Sequence, residues 1–214
     1  MMKNFALILV FMMAVVTVAN SLKAQNPSHG VETPNGLSVV ELFTSQSCSS
    51  CPPADRLLAD IADNPNLITL SFHVTYWNHL HWKDTLSREF ATARQRSYAG
   101  YKKTGRVYTP QMIVSGGAEF TGSNRSKLQR ALRTAQNVER LEINRDGEDI
   151  TLDLPDIEGG AYTLWVYGVH NEHTQGIPSG ENRGQTVTYK NSVVTQDTAG
   201  SWDGAAKTLS LIHI

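Results

Sequence analysis

Cysteine is scarce in this chain, and net charge is almost absent. The 214 residues include two cysteines, and 19 basic residues nearly balance 20 acidic ones, for a formal charge of −1. Such a balance creates no long-range field that would attract nucleic acid or an anionic membrane, so we expect neither partner. Low-complexity tracts and internal repeats are also missing. The length suits one large domain, or a small domain with a second module.

The amino-terminal segment differs from the rest of the chain. Lys3 precedes an apolar run over 5–18, which has the length of a signal-peptide core and is too short to span a bilayer comfortably. We predict a signal peptide over 1–24, cleaved after Ala24 or, less favourably, after Ala19; an uncleaved membrane anchor is the alternative. No cysteine lies nearby, which excludes a lipoprotein anchor. Cleavage would leave a periplasmic or secreted protein without a stable membrane span.

The first half of the mature chain alternates short apolar runs with helical periodicity. It follows a polar leader over 25–36, and its strand–helix–strand order implies a right-handed parallel crossover. Pro52 and Pro53 favour a helix that begins at one of them, with the preceding residues left in a loop. The predicted strands are 37–43, 67–74, 111–115 and 118–121, and the predicted helices begin near Pro52, near Ser87 and after Ser123 or Asn124.

From residue 138 onward the pattern changes to short alternating segments separated by Gly or Asp turns. This pattern predicts an antiparallel, sandwich-like β module over 138–214, with a long loop over 171–184. The final residues, 207–214, alternate like a strand and end without a turn. We therefore expect a truncated chain that lacks a final strand.

The two cysteines form a Cys48-Ser49-Ser50-Cys51 motif at the first strand-to-helix junction. Thiol–disulfide exchange needs one attacking thiolate and a second thiol that resolves the mixed disulfide, and this spacing supplies both. A helix amino terminus would favour the thiolate, but the two following prolines put that stabilisation in question. A static disulfide is the alternative, although closing so short a loop stabilises little. Asp55 is either a proton acceptor for Cys51 or a first-turn residue that stabilises the helix.

Histidines raise a third possibility. His73, His79 and His81 are weak candidates that, with two thiolates, could bind copper or zinc, whereas hydrogen-bonded loop histidines are the simpler interpretation. We assign no cofactor and no metal. His170 and His173 are interpreted as loop residues.

An aromatic loop over 75–84 contains Trp77 and Trp82. These side chains could form a peptide-binding wall or simply cover the core, and we name Trp77 as a candidate substrate-binding residue. Asn182 and Arg183 could form a binding feature whose ligand the sequence does not reveal.

The motif order resembles the thioredoxin superfamily, through Cys48, Cys51 and the Thr109-Pro110 pair before the third strand. That resemblance implies a cis-proline at Pro110 beside the cysteines, with Cys48 as the exposed attacking residue and Cys51 as the resolving one. It also leaves the Thr109 backbone free to pair with an extended substrate. Longer stretches resemble the bacterial exported family called domain of unknown function 1223, which implies a thioredoxin-like fold and no established activity. These stretches are ELFTSQSCSSCPPAD, FHVTYWNHLHWKD, VYTPQMIVSG and GENRGQTVTY.

The resulting hypothesis is an α/β protein with a thioredoxin-like domain over 37–137 followed by a β-rich module. It would be a possible thiol–disulfide oxidoreductase that acts on exported proteins with thiols or disulfides, together with an unknown redox partner. A non-catalytic binding module with a static disulfide, and a copper- or zinc-handling protein, remain the alternatives.

Export has a direct test. Amino-terminal sequencing of the exported protein should begin at Gln25 or, less favourably, at Asn20, because small residues precede both positions. Intact Met1 on a soluble cytoplasmic pool would contradict the prediction.

Overall fold

A computed structural model describes Val31 and residues 36–158 and 160–211. The predicted signal peptide over 1–24 and the chain end over 212–214 lie outside these residues. None of the described helices is long and apolar enough to cross a membrane. In chain order the elements are β1 Ser38–Thr44, α1 Pro52–Ile61, β2 Leu67–His73, α2 Glu89–Tyr101, β3 Gln111–Val114, β4 Ala118–Thr121, α3 Arg125–Thr134, β5 Glu142–Asp146, β6 Asp149–Leu154, β7 Tyr162–Gly176, β8 Thr186–Trp202 and β9 Lys207–Ser210.

The described chain forms two compact units. The larger unit contains the described residues up to 138 together with 169–194. The smaller unit contains the described residues of 139–168 and those from 195 onward. Strands β7 and β8 each pass from one unit into the other, so neither unit is a single continuous stretch of chain.

A mixed sheet in the order β4-β3-β1-β2-β8-β7 organises the larger unit. Strands β1 and β2 pair in parallel, with Thr44 opposite His73, and β1 pairs antiparallel with β3. The parallel pair requires the crossover through α1, as the strand–helix–strand pattern predicts. The carboxyl ends of β1 and β2 consequently lie side by side at one edge.

Alternate residues of β1 face opposite sides of this sheet. Val40 and Leu42 are buried in a cluster with apolar residues of α1 and α3. On the other side, Phe43 stacks on Phe72 with ring centroids 5.4 Å apart and meets Tyr98 of α2 edge-on. Helices α1 and α3 therefore cover one face, and α2 covers the other.

Glu41 is a buried carboxylate within this otherwise apolar strand. Its Oε1 accepts a hydrogen bond from Arg94 Nε at 2.5 Å, and its Oε2 accepts one from the Tyr98 hydroxyl. Because a buried charge is costly unless it is paired, these two α2 partners account for a glutamate at a core position.

The first stretch of the larger unit ends at 138, near the predicted boundary at 137, but 169–194 also belongs to this unit, and the predicted loop over 171–184 is partly strand. Strand β7 continues to Gly176, and β8 joins β2 in parallel, with Ser71 opposite Ser192. Ile177 and Tyr189 are buried in one cluster with Leu86. Alternation along 186–194 predicts a strand but does not indicate which sheet that strand joins.

The smaller unit has the antiparallel character predicted for the carboxy-terminal half. Strands β5, β6 and β9 form a separate sheet in that order. Leu152 and Leu154 of β6 are buried with Trp202 of β8, and Leu164 of β7 packs against the same cluster. Apolar residues of β6, β7 and β8 thus share one core.

The larger unit is tightly packed around Gly122, and a substitution at this position tests that packing. A Cβ at this buried position would lie 2.7 Å from Leu42 Cδ1, 3.1 Å from Ala54 Cβ and 3.2 Å from Pro110 Cβ. We expect Gly122→Ala to lower the free energy of unfolding by about 1–3 kcal/mol in urea titrations, because overpacking forces neighbours to shift.

The matched control is Gly100→Ala on the exposed side of α2, where a Cβ meets nothing within 4 Å. It should be neutral or should stabilise by up to about 1 kcal/mol, because alanine loses less backbone entropy in a helix. Equal effects of the two substitutions would contradict the packing interpretation.

Candidate functional site

Cys48 and Cys51 form a disulfide directly after β1, with their Cα atoms 5.4 Å apart. The turn that carries them is closed by hydrogen bonds from Cys48 N to Ser45 O and from Cys51 N to Cys48 O, both of 3.1 Å. Helix α1 begins at Pro52, as the prolines predict, so Cys51 is its N-cap and Cys48 lies in the turn ahead.

This start leaves α1 without free donors near the sulfurs. Pro52 and Pro53 have no N–H group, and the next two, Ala54 N and Asp55 N, both bond to Cys51 O at 2.8 and 3.1 Å. The unpaired N–H groups that normally stabilise an anion at a helix amino terminus are therefore absent or occupied. Local stabilisation of a Cys48 thiolate by this helix is correspondingly weak.

Both cysteines are buried. Cys48 is 2% exposed and Cys51 is 0% exposed, whereas Ser49 and Ser50 between them are exposed. The exposed attacking position that the thioredoxin resemblance implies for Cys48 is therefore not found. A reacting thiol can reach either sulfur only if the turn opens.

The Thr109–Pro110 peptide is cis, which confirms the prediction for this bond. Pro110 is buried, and its carbonyl accepts a hydrogen bond from Gly122 N at 2.9 Å. The Thr109 hydroxyl accepts a hydrogen bond from Trp77 Nε1 at 2.7 Å. Trp77 is thus fixed to the residue before the cis-proline, and the two candidate substrate-binding residues lie together.

A buried polar cluster lies where β1 and β2 end. Asp55 Oδ1 accepts a hydrogen bond from the Thr44 hydroxyl at 2.7 Å, and His73 Nδ1 lies 2.8 Å from Asp84 Oδ2. The His73 ring also meets Tyr189 edge-on, with centroids 4.8 Å apart. Asp55 Oδ2 and His73 Nε2 are buried without a hydrogen-bond partner.

The two carboxyl groups of this cluster differ in acidity. Burial raises the pKa of Asp55 to about 7, against the opposing effects of His73 and of the Thr44 hydrogen bond. Burial acts on Asp84 in the same direction. The pKa of Asp84 is nevertheless lowered, because its interactions outweigh burial. These are the charge and hydrogen bond of His73 and the backbone N–H groups of Gln46 and Leu86. Asp55 is therefore the carboxyl group that can gain or lose a proton near neutral pH.

The loop before the cysteines is held by Gln46, which the sequence analysis does not single out, and by Trp82 and Asn182, which it names only as possible binding residues. Gln46 N donates to Asp84 Oδ2 at 2.8 Å, and Gln46 Oε1 accepts from Trp82 Nε1 at 2.9 Å. Asn182 Nδ2 donates to both Gln46 O and Cys48 O at 2.9 Å. Asn182 stands in the GENRG motif, which does not indicate its contact with the Cys48 backbone.

The histidines do not assemble around the cysteines as a ligand set. His73 pairs with Asp84, whereas His79 is exposed, with Nδ1 2.8 Å from Tyr76 O, and His81 is exposed as well. The described part of the chain contains no group of three or more His, Cys, Asp or Glu side chains placed to hold a metal ion. His170 and His173 stack in β7, with centroids 6.1 Å apart, and not in a loop.

Comparison with known proteins identifies a family and similar solved structures. A family model described as a protein of unknown function, DUF1223, matches residues 39–213, and the chain belongs to this family. A crystal structure of a protein from Agrobacterium tumefaciens aligns with a TM-score of 0.70 and 32% identity, over 82% of this chain and 78% of that one. The structure titled HBP35 of Porphyromonas gingivalis aligns with a TM-score of 0.48 and 13% identity, over 86% of this chain and 66% of that one. Curated proteins yield no match.

The raised pKa of Asp55 predicts a stability effect with a definite sign. The folded protein holds the Asp55 proton up to pH about 7, while the unfolded chain releases it near pH 3.8. Protonated Asp55 therefore contributes to the free energy of unfolding in full below pH 3.8, and this contribution is lost as pH rises through 7. Asp55→Asn removes that loss. We expect its free energy of unfolding to gain about 2–3 kcal/mol relative to the wild type between pH 5 and pH 8.

Urea titrations of both proteins at the two pH values measure this difference. Asp60→Asn removes an exposed carboxylate from the same helix and serves as the control. The difference in free energy of unfolding between Asp60→Asn and the wild type should not grow from pH 5 to pH 8. A gap between Asp55→Asn and wild type that stays constant with pH would contradict the assignment.

Proposed function

We propose that this protein is exported and catalyses thiol–disulfide exchange through Cys48 and Cys51, on a thioredoxin-like domain. The observation that carries the proposal is a disulfide at the β1–α1 junction, one helical turn from a buried carboxyl group whose pKa is about 7. The hydrogen bond from Trp77 Nε1 to the Thr109 hydroxyl supports the same function, because it brings the two candidate substrate-binding residues together. The proposed partners are exported proteins with thiols or disulfides and a separate redox protein.

The exchange is written with its atoms and electrons balanced. In the reductive direction, the Cys48 thiolate attacks a substrate disulfide, forms a Cys48–substrate bond and releases the other substrate sulfur as a thiolate, which takes a proton. The Cys51 thiolate then attacks Cys48 Sγ and releases the second substrate thiol. The substrate gains two electrons and two protons, and the Cys48–Cys51 disulfide is restored. The oxidative direction is the same sequence reversed.

Asp55 suits the proton transfer at Cys51. Cys51 is the N-cap of α1, and Asp55 lies four residues further along, where its N–H donates to Cys51 O at 3.1 Å. A carboxyl group with a pKa of about 7 can take the Cys51 proton before attack and return it in the reverse direction. The unpartnered Asp55 Oδ2 leaves one lone pair available for that proton. A helix-stabilising carboxylate would instead be exposed and ionised.

A static disulfide in a binding module remains the second candidate, because both cysteines are buried. The reduction potential of the pair separates the two functions. A value between about −120 and −270 mV, the range of known oxidoreductases, favours exchange, and a value below about −300 mV favours a permanent bridge. Metal content measured on the same sample tests copper or zinc handling, for which stoichiometric metal would be required.

Single cysteine variants test the mechanism. We expect Cys51→Ser to accumulate covalent complexes with exported proteins, because the mixed disulfide at Cys48 then lacks its resolving thiol. Cys48→Ser, the matched control, should trap none. Non-reducing electrophoresis followed by mass spectrometry of the complexes measures both variants.

Trapping through Cys51 alone would reverse the roles of the two cysteines. An absence of complexes in both variants, with a wild-type bridge that resists reduction, would leave the static disulfide as the better account.

A further inference from the structure

The segment between β7 and β8 is a compact loop over 177–185. Its ends are tied by hydrogen bonds from Ile177 N to Gln185 O at 2.9 Å and from Gly184 N to Ile177 O at 2.8 Å. Gly180 and Gly184 adopt φ of 79° and 80°, a conformation that favours glycine. Ile177 is 2% exposed and anchors the loop in a core cluster. The loop is therefore a preformed support for the side chains at its tip.

Asn182 occupies that tip and is 2% exposed. Its amide nitrogen donates one hydrogen bond to Gln46 O and a second to Cys48 O, each of 2.9 Å. Its amide oxygen accepts a hydrogen bond from Gln185 Nε2 at 3.2 Å, which fixes the orientation of the amide group. Both N–H donors of the Asn182 side chain thus bond to the backbone segment that carries the cysteine pair.

The same loop is attached to a second segment beside the cysteines. The Ser179 hydroxyl donates to His81 O at 2.7 Å, and a Cβ on Gly180 would lie 3.2 Å from Trp82 Cβ. Trp82 O in turn accepts a hydrogen bond from the Ser47 hydroxyl at 2.5 Å. The residues that precede Cys48 are consequently held from two sides, by 177–185 and by the aromatic loop.

We propose that Asn182 is a positioning residue that keeps the Cys48–Cys51 turn closed, so that the 177–185 loop controls how fast an external thiol reaches the disulfide. The proposal rests on the exchange function proposed above and adds the element that limits access to it. Cys48 O accepts hydrogen bonds from both Cys51 N and Asn182 Nδ2, so the turn cannot swing outward without breaking the Asn182 contact. With both cysteines buried, that opening precedes any attack on sulfur.

Dithiothreitol is the probe, because it reduces the disulfide without a protein partner. One of its thiolates attacks a cysteine sulfur, its second thiol closes a cyclic disulfide, and its two electrons and two protons pass to Cys48 and Cys51. We expect Asn182→Ala to be reduced about ten-fold faster than the wild type in native buffer, because losing two buried hydrogen bonds raises the open population. Asn182→Asp keeps the side-chain shape, removes both donors and should behave alike.

Alkylation of free thiols at timed intervals, followed by intact-mass measurement, gives the rates. Thr69→Val is the control: it removes another asparagine hydrogen bond in the same unit, the part-buried one from Asn191 Nδ2 to Thr69 Oγ1 of 2.7 Å. It should lower the urea midpoint and leave the reduction rate at the wild-type value. If Asn182 variants fail to fold, Gln185→Ala leaves Asn182 in place without its support and should give a smaller acceleration.

Wild-type reduction rates in all folded Asn182 and Gln185 variants would overturn the proposal, and so would an equal acceleration in Thr69→Val. The two hypotheses fail separately. Absence of covalent trapping by Cys51→Ser would remove the exchange function while leaving the access measurement intact, because dithiothreitol requires no exported substrate.

Discussion

The parallel register of β1 and β2 is the constraint on which the cysteine site depends. It places Thr44 opposite His73 at the end of both strands. Thr44 then holds Asp55, and His73 holds Asp84, which accepts the backbone N–H of Gln46 just before the cysteines. A register shift of one residue would turn the side chains of one strand to the opposite face, so that Thr44 and His73 would no longer lie on the same side of the sheet. Local sheet geometry thereby determines the chemistry of the turn above it.

The sequence was sufficient for features that depend on short stretches of chain. The start of α1 follows from Pro52 and Pro53, because proline suits a first helical turn and excludes an interior one. The cis bond before Pro110 followed from the resemblance to a family, and the structure contains it. The α/β alternation of the first half and the antiparallel strands of the second follow from hydrophobic periodicity.

Contacts between distant residues escaped prediction, because neither periodicity nor spacing encodes them. Asn182 and Cys48, which form a hydrogen bond, are 134 positions apart in the chain. The periodicity that predicts β8 as a strand does not indicate that β8 pairs with β2. The burial of Glu41 could not be predicted for the same reason, because its carboxylate is paired with Arg94 of α2. The raised pKa of Asp55 depends on burial, which a single sequence reports only through such tertiary neighbours.

The proline start of α1 also bears on chemical damage. Oxidation of cysteine to sulfenic and then irreversible acids follows thiolate character and exposure. In this protein the helix offers no free N–H group to stabilise an anion at Cys48, and Cys48 is only 2% exposed. The reduced pair is therefore expected to react slowly with peroxide and to return to the disulfide before either sulfur is lost. Modest acidity of the Cys48 thiol thereby protects the pair against irreversible oxidation.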